Sequence, residues 1–353
     1  MSARIVLLFF FLASHEALGA LSICGRILLS ARLDAADEVV DGLNRAFLSP
    51  GGRWASVPSR NDGQADLVEL PTGRVLSNLE IQGHRIRNLI FGRSGNHLLA
   101  YDGDRTVAAA FLVPEGIHLW TWFVPAFGLH VRPYLSTSPD STLLLVPRMN
   151  SVDVLRNGAV IASLKDLPIV QRGGVIAADN RTLILFTKTG APEVYAIEEG
   201  SLRLIRTFTL SGNNHSFDIR SGHLDSNGRF FALAENSAST YGSRVRTWNV
   251  NTGNIYQAFQ FRESRVRALS ISPDGGLLAV AESHSVRLIN LGRREVIANL
   301  TGTFDEDAFM RDVVFSADGT RVLASLDNSA EIWEWDISSA LSSTSGSDNT
   351  THD

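Results

Sequence analysis

Residues 267–290 have the sequence RALSISPDGGLLAVAESHSVRLIN. Apolar and polar residues alternate up to Ser272, and the following Ser-Pro-Asp-Gly has the composition of a tight turn. A second apolar run follows at 276–281, and a third follows a polar turn at 285–290. The segment therefore predicts three short antiparallel strands joined by tight turns.

The same pattern recurs along the chain. A clear copy follows at 313–336, and five weaker copies precede residue 267. Aligned on the serine, the copies fall at positions 49, 92, 138, 177, 225, 272 and 316, which are 39 to 48 residues apart. A repeat of this length, with strand–turn–strand–turn–strand inside it, is typical of four-stranded propeller blades. Seven copies predict an all-β fold, a seven-bladed β-propeller.

The repeats resemble WD repeats over roughly residues 25–337. The resemblance is strongest where Ser272-Pro273-Asp274-Gly275 and Ser316-Ala317-Asp318-Gly319 stand in register. Two features of the family are mostly missing: only Trp335-Asp336 supplies the terminal Trp-Asp pair, and only Gly83-His84 stands where the family has Gly-His. The resemblance implies a rigid propeller whose variable loops bind other proteins.

The two ends of the repeat region complement each other. The last copy supplies three strands and then runs into a polar, serine-rich segment, which predicts a disordered tail at 338–353. Residues 26–33 form an apolar run of strand length before the first copy. In WD propellers an N-terminal segment completes the last blade, and we expect residues 26–33 to do so here. The propeller domain is then expected to span residues 20–337.

The first 19 residues predict a secretory signal peptide. Arg4 is followed by a nine-residue apolar run at 5–13, too short to span a bilayer, and Ala17 and Gly19 form a small-x-small exit. Cleavage is expected after Gly19, with secretion as the consequence. The alternatives are an N-terminal strand or helix packed on the fold, or a wrongly assigned start codon. Without a leader, the protein is expected to be cytoplasmic. Four Asn-x-Ser/Thr sequons are compatible with a secreted glycoprotein: Asn180, Asn214, Asn299 and Asn349.

Composition and motifs exclude several classes of function. The formal charge of −5 provides no overall basic field that would attract nucleic acid. The single cysteine, Cys24, permits neither an internal disulfide nor a cysteine-based metal site. No phosphate-binding loop, Gly-x-Ser-x-Gly or His-Glu-x-x-His motif occurs. We therefore expect no cofactor, no metal, no membrane span after leader removal, and a monomer.

Arginine recurs at one position of the repeat. It stands five residues before the aligned position in five copies and one place away in the other two: Arg45, Arg87, Arg132, Arg172, Arg220, Arg267 and Arg311. These side chains are expected to ring the mouth of the central channel, where they would attract an anionic partner. The alternative is that they pair with nearby acids such as Asp312, Glu263 or Asp305.

Two hypotheses of function follow. In the first, the protein is a non-enzymatic platform that binds a protein or an anionic small molecule through the loop face and the arginine ring; this rests on analogy with the fold. In the second, it is a secreted, metal-independent enzyme, cyclase- or lactonase-like, that positions a substrate at the propeller axis. A calcium-dependent hydrolase is disfavoured, because the strand starts carry arginine instead of acidic ligands.

Overall fold

A computed structural model describes residues 20–31, 46–59, 63–92, 94–102, 107–123, 136–140, 142–147, 151–167, 171–187, 191–209, 217–225, 227–237, 242–262, 264–304, 309–327 and 330–345. The expected leader at 1–19, Arg45, Arg132, two of the sequons and the end of the expected tail lie outside these residues. The described chain is nearly all-β, and most of its strand pairs are antiparallel.

The strands are short and follow one another closely. The first fourteen are β1 (Leu21–Cys24), β2 (Arg26–Ala31), β3 (Phe47–Leu48), β4 (Trp54–Pro58), β5 (Ala65–Glu69), β6 (Arg74–Leu79), β7 (Ile86–Phe91), β8 (His97–Asp102), β9 (Val107–Leu112), β10 (Ile117–Phe123), β11 (Ser136–Thr137), β12 (Leu143–Pro147), β13 (Val152–Arg156) and β14 (Ala159–Leu164). The others are β15 (Gln171–Ile176), β16 (Thr182–Thr187), β17 (Glu193–Glu198), β18 (Gly200–Thr207), β19 (Phe217–Leu224), β20 (Phe230–Ser237), β21 (Ser243–Asn249), β22 (Ile255–Phe261), β23 (Ala268–Ile271), β24 (Leu277–Ala281), β25 (Val286–Asn290), β26 (Glu295–Thr301), β27 (Met310–Phe315), β28 (Arg321–Leu326) and β29 (Ala330–Asp336), followed by helix α1 (Ser338–Ser345).

The strands form sheets of four antiparallel neighbours in chain order. Three sheets are simple runs: β3–β6, β7–β10 and β19–β22. The runs β11–β14 and β15–β18 join into one eight-stranded sheet through a short parallel pairing of β14 with β18. The run β23–β26 gains β1 as a fifth strand, and β27–β29 gains β2 as a fourth.

The first strands of successive runs are neighbours. Contacts link β3 to β7, β7 to β11, β11 to β15, β15 to β19, β19 to β23, β23 to β27, and β27 back to β3. Apolar clusters fill the space between adjacent runs; one of them joins Leu288 of β25 to Val322 and Trp335 of the run β27–β29. Pairs of apolar sheet faces buried in this way are the main source of stability of such a fold.

All seven aligned positions form the same turn. At each one the backbone N–H donates to the carbonyl oxygen five residues later, with N···O distances of 2.8–3.0 Å. The seven pairs are Ser49–Trp54, Gly92–His97, Ser138–Leu143, Ala177–Thr182, Asp225–Phe230, Ser272–Leu277 and Ser316–Arg321. The alignment made on the sequence is therefore confirmed at the turns.

Side chains hold this turn closed. The Ser272 hydroxyl accepts from the N–H of Leu277 at 2.8 Å and donates to the carboxylate of Asp274 at 2.5 Å. Gly275 completes the turn at φ +79°, a conformation that glycine adopts at little cost. In the equivalent turn at 316, hydrogen bonds from Ser316 and Thr320 lower the pKa of Asp318 to about 2.

Each run therefore has two distinct ends. The first strand starts at what we call the loop end, where the chain enters from the preceding run, and it finishes at the turn end, where the aligned turn lies. The second strand runs back, so its last residues return to the loop end.

Both N-terminal strands pair with the C-terminal part of the chain. β2 is antiparallel to β29, with Arg26 opposite Glu334 and Ala31 opposite Ala330. The expected pairing is thus present over residues 26–31, and residues 32–33 lie outside the described chain. β1 was not predicted; it lies parallel to the outer strand β26, with Leu21 opposite Ala298.

The expected tail is wrong over its first half, because residues 338–345 form α1. The Asp336 carboxylate accepts the N–H of Ser338 at 2.9 Å and caps the helix. Ile337 and Ala340 are fully buried and Leu341 packs against the same apolar cluster, at helical spacing that the serine-rich composition conceals.

Candidate functional site

The recurring arginine occupies one structural position, a β-bulge at the start of the first strand. In four runs the register between the first and second strands shifts around the arginine, for example between Ile86 and Asn88 and between Met310 and Asp312. Arg267 fits the same description, because its N–H donates to Ala281, the residue already paired with Ala268. The bulge positions are Arg87, Arg172, Arg220, Arg267 and Arg311. A bulge adds one residue to one strand and re-aims its side chains.

The side chains of three of these arginines are described. Arg87 is half-buried, and Arg267 and Arg311 are exposed. The Arg267 guanidinium lies 4.9 Å from the centre of the Phe309 ring, a cation–π arrangement that helps to orient it. Within the part of the chain that the structure describes, Arg87 and Arg311 have no ion pair. The side chains of Arg172 and Arg220, and all of Arg45 and Arg132, lie outside that part.

Of the three acids proposed as partners, the structure describes Asp312. Asp312 accepts a hydrogen bond from the backbone N–H of Val313 at 2.9 Å. Glu263 and Asp305 are outside the described residues. His284, at the same loop end, packs its ring 5.1 Å from that of Phe309, so that a cation, an aromatic ring and an imidazole meet where β23 and β27 start.

A row of buried acids near the loop end was missed by the sequence reasoning. Asp102, Glu235 and Glu282 each stand ten residues after an aligned position and are 3–6% exposed. Asp102 pairs with His84 at 3.4 Å, and Glu282 accepts from the Ser264 hydroxyl and pairs with Arg287. Counting ten residues from each aligned position would have found these acids.

Glu235 forms the densest of these arrangements. Its carboxylate accepts two hydrogen bonds from Arg244, at 2.8 and 3.1 Å, and two from Arg246, at 2.8 and 2.7 Å. All three side chains are buried, and the Arg246 guanidinium also lies 5.1 Å from the Trp248 ring. Burial lowers the pKa of Arg246, and the Glu235 charge opposes that shift.

Two cavities lie at the turn end. One, of about 280 Å³, is lined by Gly51, Arg53 and Arg321 among others. The second, of about 360 Å³, lies between the turns at 177 and 225. Neither includes a candidate arginine, so the cavities and the arginines are separate features.

Three further findings bear on partners and cofactors. Among the described residues, no cluster of three or more His, Cys, Asp or Glu side chains has the arrangement of a metal site. The described helix is too short and too polar to cross a bilayer. Cys24 is a free, exposed thiol.

No model of a known protein family matches the chain, and no curated protein is significantly similar to it in sequence.

Proposed function

We propose that the chain is a seven-bladed β-propeller of the WD-repeat type, and that it acts as a non-enzymatic platform for an anionic partner. The shared turn at all seven aligned positions supports seven blades. So do the closed series of contacts between first strands and the pairing of β2 with β29. In such a ring the first strands surround a central channel.

The observation that carries the binding hypothesis is the repeated bulge arginine. Five arginines share one backbone position at the loop end, and Arg267 and Arg311 stand exposed at adjacent strands. Guanidinium groups bind carboxylate and phosphate in a planar, two-point fashion. Several of them around one opening create a local positive potential in a chain of net charge −5. The expected ligand is a protein segment rich in acidic side chains, or a small molecule bearing carboxylate or phosphate.

Removing two of these arginines tests the proposal. The double variant Arg267→Ala/Arg311→Ala is expected to weaken binding of a fluorescein-labelled hexaglutamate peptide by about tenfold or more, because two charge-assisted contacts are lost. The measurement is fluorescence anisotropy over a range of salt concentrations, and wild-type affinity should fall as salt rises.

The matched control removes the same charge elsewhere. Arg74 and Arg203 are exposed, each paired with an acid on its own hairpin. Their double alanine variant should bind the peptide like the wild type. Equal binding by the Arg267/Arg311 variant, or no salt dependence in the wild type, would contradict the proposal.

We further propose that the chain is exported and processed. Expressed in a secretion-competent host, the protein should be recovered from the medium with an intact mass that starts at Ala20 and includes N-linked sugar. Cleavage after Gly19 leaves β1, which begins at Leu21, whole. Asn180 is expected to stay unmodified, since its amide nitrogen donates to Asp140 at 2.5 Å. Unprocessed, sugar-free protein in the cytosol would refute export.

A further inference from the structure

The aligned turns form a series in which each packs against the run before it. The residue three places after the aligned position takes a left-handed conformation, φ +54° to +79°, in every described case. A Cβ at Gly95 would lie 3.4 Å from the carbonyl oxygen of Pro50, and one at Gly275 would lie 3.3 Å from a carboxylate oxygen of Asp225. One at Gly319 would lie 3.8 Å from Pro273. At these three junctions the position therefore faces the preceding turn.

At one junction this position carries a side chain. Asn180 stands there, and its amide donates to Oδ2 of Asp140 in the preceding turn at 2.5 Å. Oδ1 of Asp140 serves its own turn, accepting from the Ser138 hydroxyl and from both the N–H and the hydroxyl of Thr142. The junction between the turns at 138 and 177 is thus closed by a carboxamide.

The next junction along the chain is open. Asp179 is the equivalent of Asp140, and Gly228 is the equivalent of Asn180. A Cβ at Gly228 would meet no atom of the described residues within 4 Å. Both residues line the cavity of about 360 Å³ between the turns at 177 and 225. No described side chain takes the place at this junction that Asn180 takes at the other.

The walls of this cavity specify the chemistry of an occupant. Ile184, Val194 and Leu224 are buried and form an aliphatic floor. Asp179 uses its oxygens within its own turn, accepting two N–H groups and the Thr182 hydroxyl, and its carboxylate has capacity for one more donor. At the outer rim, in β18, Arg206 donates to the carbonyl of Val250 at 3.3 Å and has further N–H groups to offer.

A neutral donor fits better than a cation. Arg181 follows Asp179 in the same turn, and Arg206 lines the cavity, so an ammonium group would meet two guanidinium charges. A carboxylate in the place of the amide nitrogen has no hydrogen to donate to Asp179 and would be repelled by it at that short distance. A primary carboxamide donates through nitrogen and accepts through oxygen, which matches an acceptor at Asp179 and a donor at Arg206.

We propose that this cleft binds a primary carboxamide on an aliphatic stem, the chemistry of a glutamine side chain. The site lies at the turn end and is independent of the arginine ring. Its volume is within the range of small-ligand pockets. The stem packs on the aliphatic floor while the amide takes the place that Asn180 fills in the neighbouring junction.

The test is a titration of the ¹⁵N-labelled full chain by NMR. N-acetyl-glutamine N-methylamide should produce saturable shifts of the backbone amides of Ala178, Asn227 and Asn251, which line the cleft. The isosteric glutamate derivative should produce none. A second titration, with free L-glutamine, distinguishes two natural ligands that carry this group: a free amino acid and a glutamine side chain of a partner protein. The absence of saturable shifts with both glutamine probes, or equal binding of glutamate or n-butylammonium, overturns the proposal.

A substitution in the chain itself can fill the cleft with a carboxamide side chain. Gly228→Asn places a carboxamide where Asn180 stands in the other junction, and Asn180 itself tolerates φ +54°. This variant should fold and should lose the glutamine-dependent shifts, with affinity lower by about tenfold or more. Gly200→Asn is the matched control, because Gly200 has φ +79° and open space around its Cβ, and it should retain binding. If Gly228→Asn does not fold, the test uses Asp179→Asn, which should lose the glutamine-dependent shifts in the same way. Undiminished glutamine binding by either folded variant would contradict the proposed site.

Discussion

A chain lacking residues 1–33 is expected to be insoluble or to unfold without a cooperative transition. This deletion removes both β1 and β2. β29 then becomes an edge strand with its backbone groups unpaired on one side, and β26 loses its parallel partner. Exposed edges of this kind promote association between chains.

The loss is large because the deleted segment bonds to the last two runs at once. Arg26 donates two hydrogen bonds to Glu334, a buried acid that also accepts from Arg321. Between the two strands, the N–H of Gly25 donates to the carbonyl of Thr301, which also accepts the indole N–H of Trp335. Trp335 is fully buried in the cluster that joins the two runs. Removing the N-terminal strands thus exposes the core that the last two runs share.

Circular dichroism during heating, together with binding of a hydrophobic dye, measures this effect. A chain lacking only residues 1–19 is the control, because it retains both strands and should melt in one cooperative step. If the longer deletion also gives a soluble protein with a single sharp transition, the pairing of β2 with β29 does not contribute to the stability of the fold. The proposed closure by β2 is then wrong.

The turns were predictable from the sequence because their chemistry is local. A Ser-x-Asp-Gly sequence specifies its own hydrogen bonds, so positions 272 and 316 could be aligned with weaker copies such as Ala177. The pairing of β1 with β26 was not predictable. Four residues, Leu21–Cys24, carry no pattern that identifies a parallel partner more than 270 residues away.

The candidate site was predictable in its spacing and not in its geometry. Five equally placed arginines mark equivalent positions, and the β-bulge that holds them depends on the register between two strands. The buried acids were missed for another reason. A single charged residue within a strand pattern is normally predicted to be exposed. Its burial is explained only by its partner, such as His84 for Asp102.

Replacing Glu235 with alanine is expected to lower the free energy of unfolding by about 3–5 kcal/mol, the range observed when one member of a buried ion pair is removed. The change removes four hydrogen bonds and the countercharge of two buried guanidinium groups, Arg244 and Arg246. Both guanidinium groups are buried, so water does not take the place of the lost carboxylate. Urea unfolding followed by tryptophan fluorescence measures the difference.

Two comparison variants separate burial from charge. Glu198 forms an exposed pair with Arg203 at 2.6 Å, and Glu198→Ala should cost about 0–1 kcal/mol. Glu235→Gln keeps the shape and one strong acceptor but loses the charge, and its cost should fall between the two. If Glu235→Ala costs no more than Glu198→Ala, the triad of Glu235, Arg244 and Arg246 contributes no net stability.

The triad also links stability to the proposed binding face. Arg220 occupies the bulge on β19 opposite the segment Ala234–Glu235 of β20, so Glu235 lies in the strand that defines the bulge. Loss of Glu235 should loosen that register, since Arg244 pairs directly across from it on β21. Amide hydrogen exchange should therefore accelerate in β20 and β21 in the Glu235→Gln variant while the turn at 225–230 stays protected. Faster exchange confined to the turn would place the role of Glu235 elsewhere.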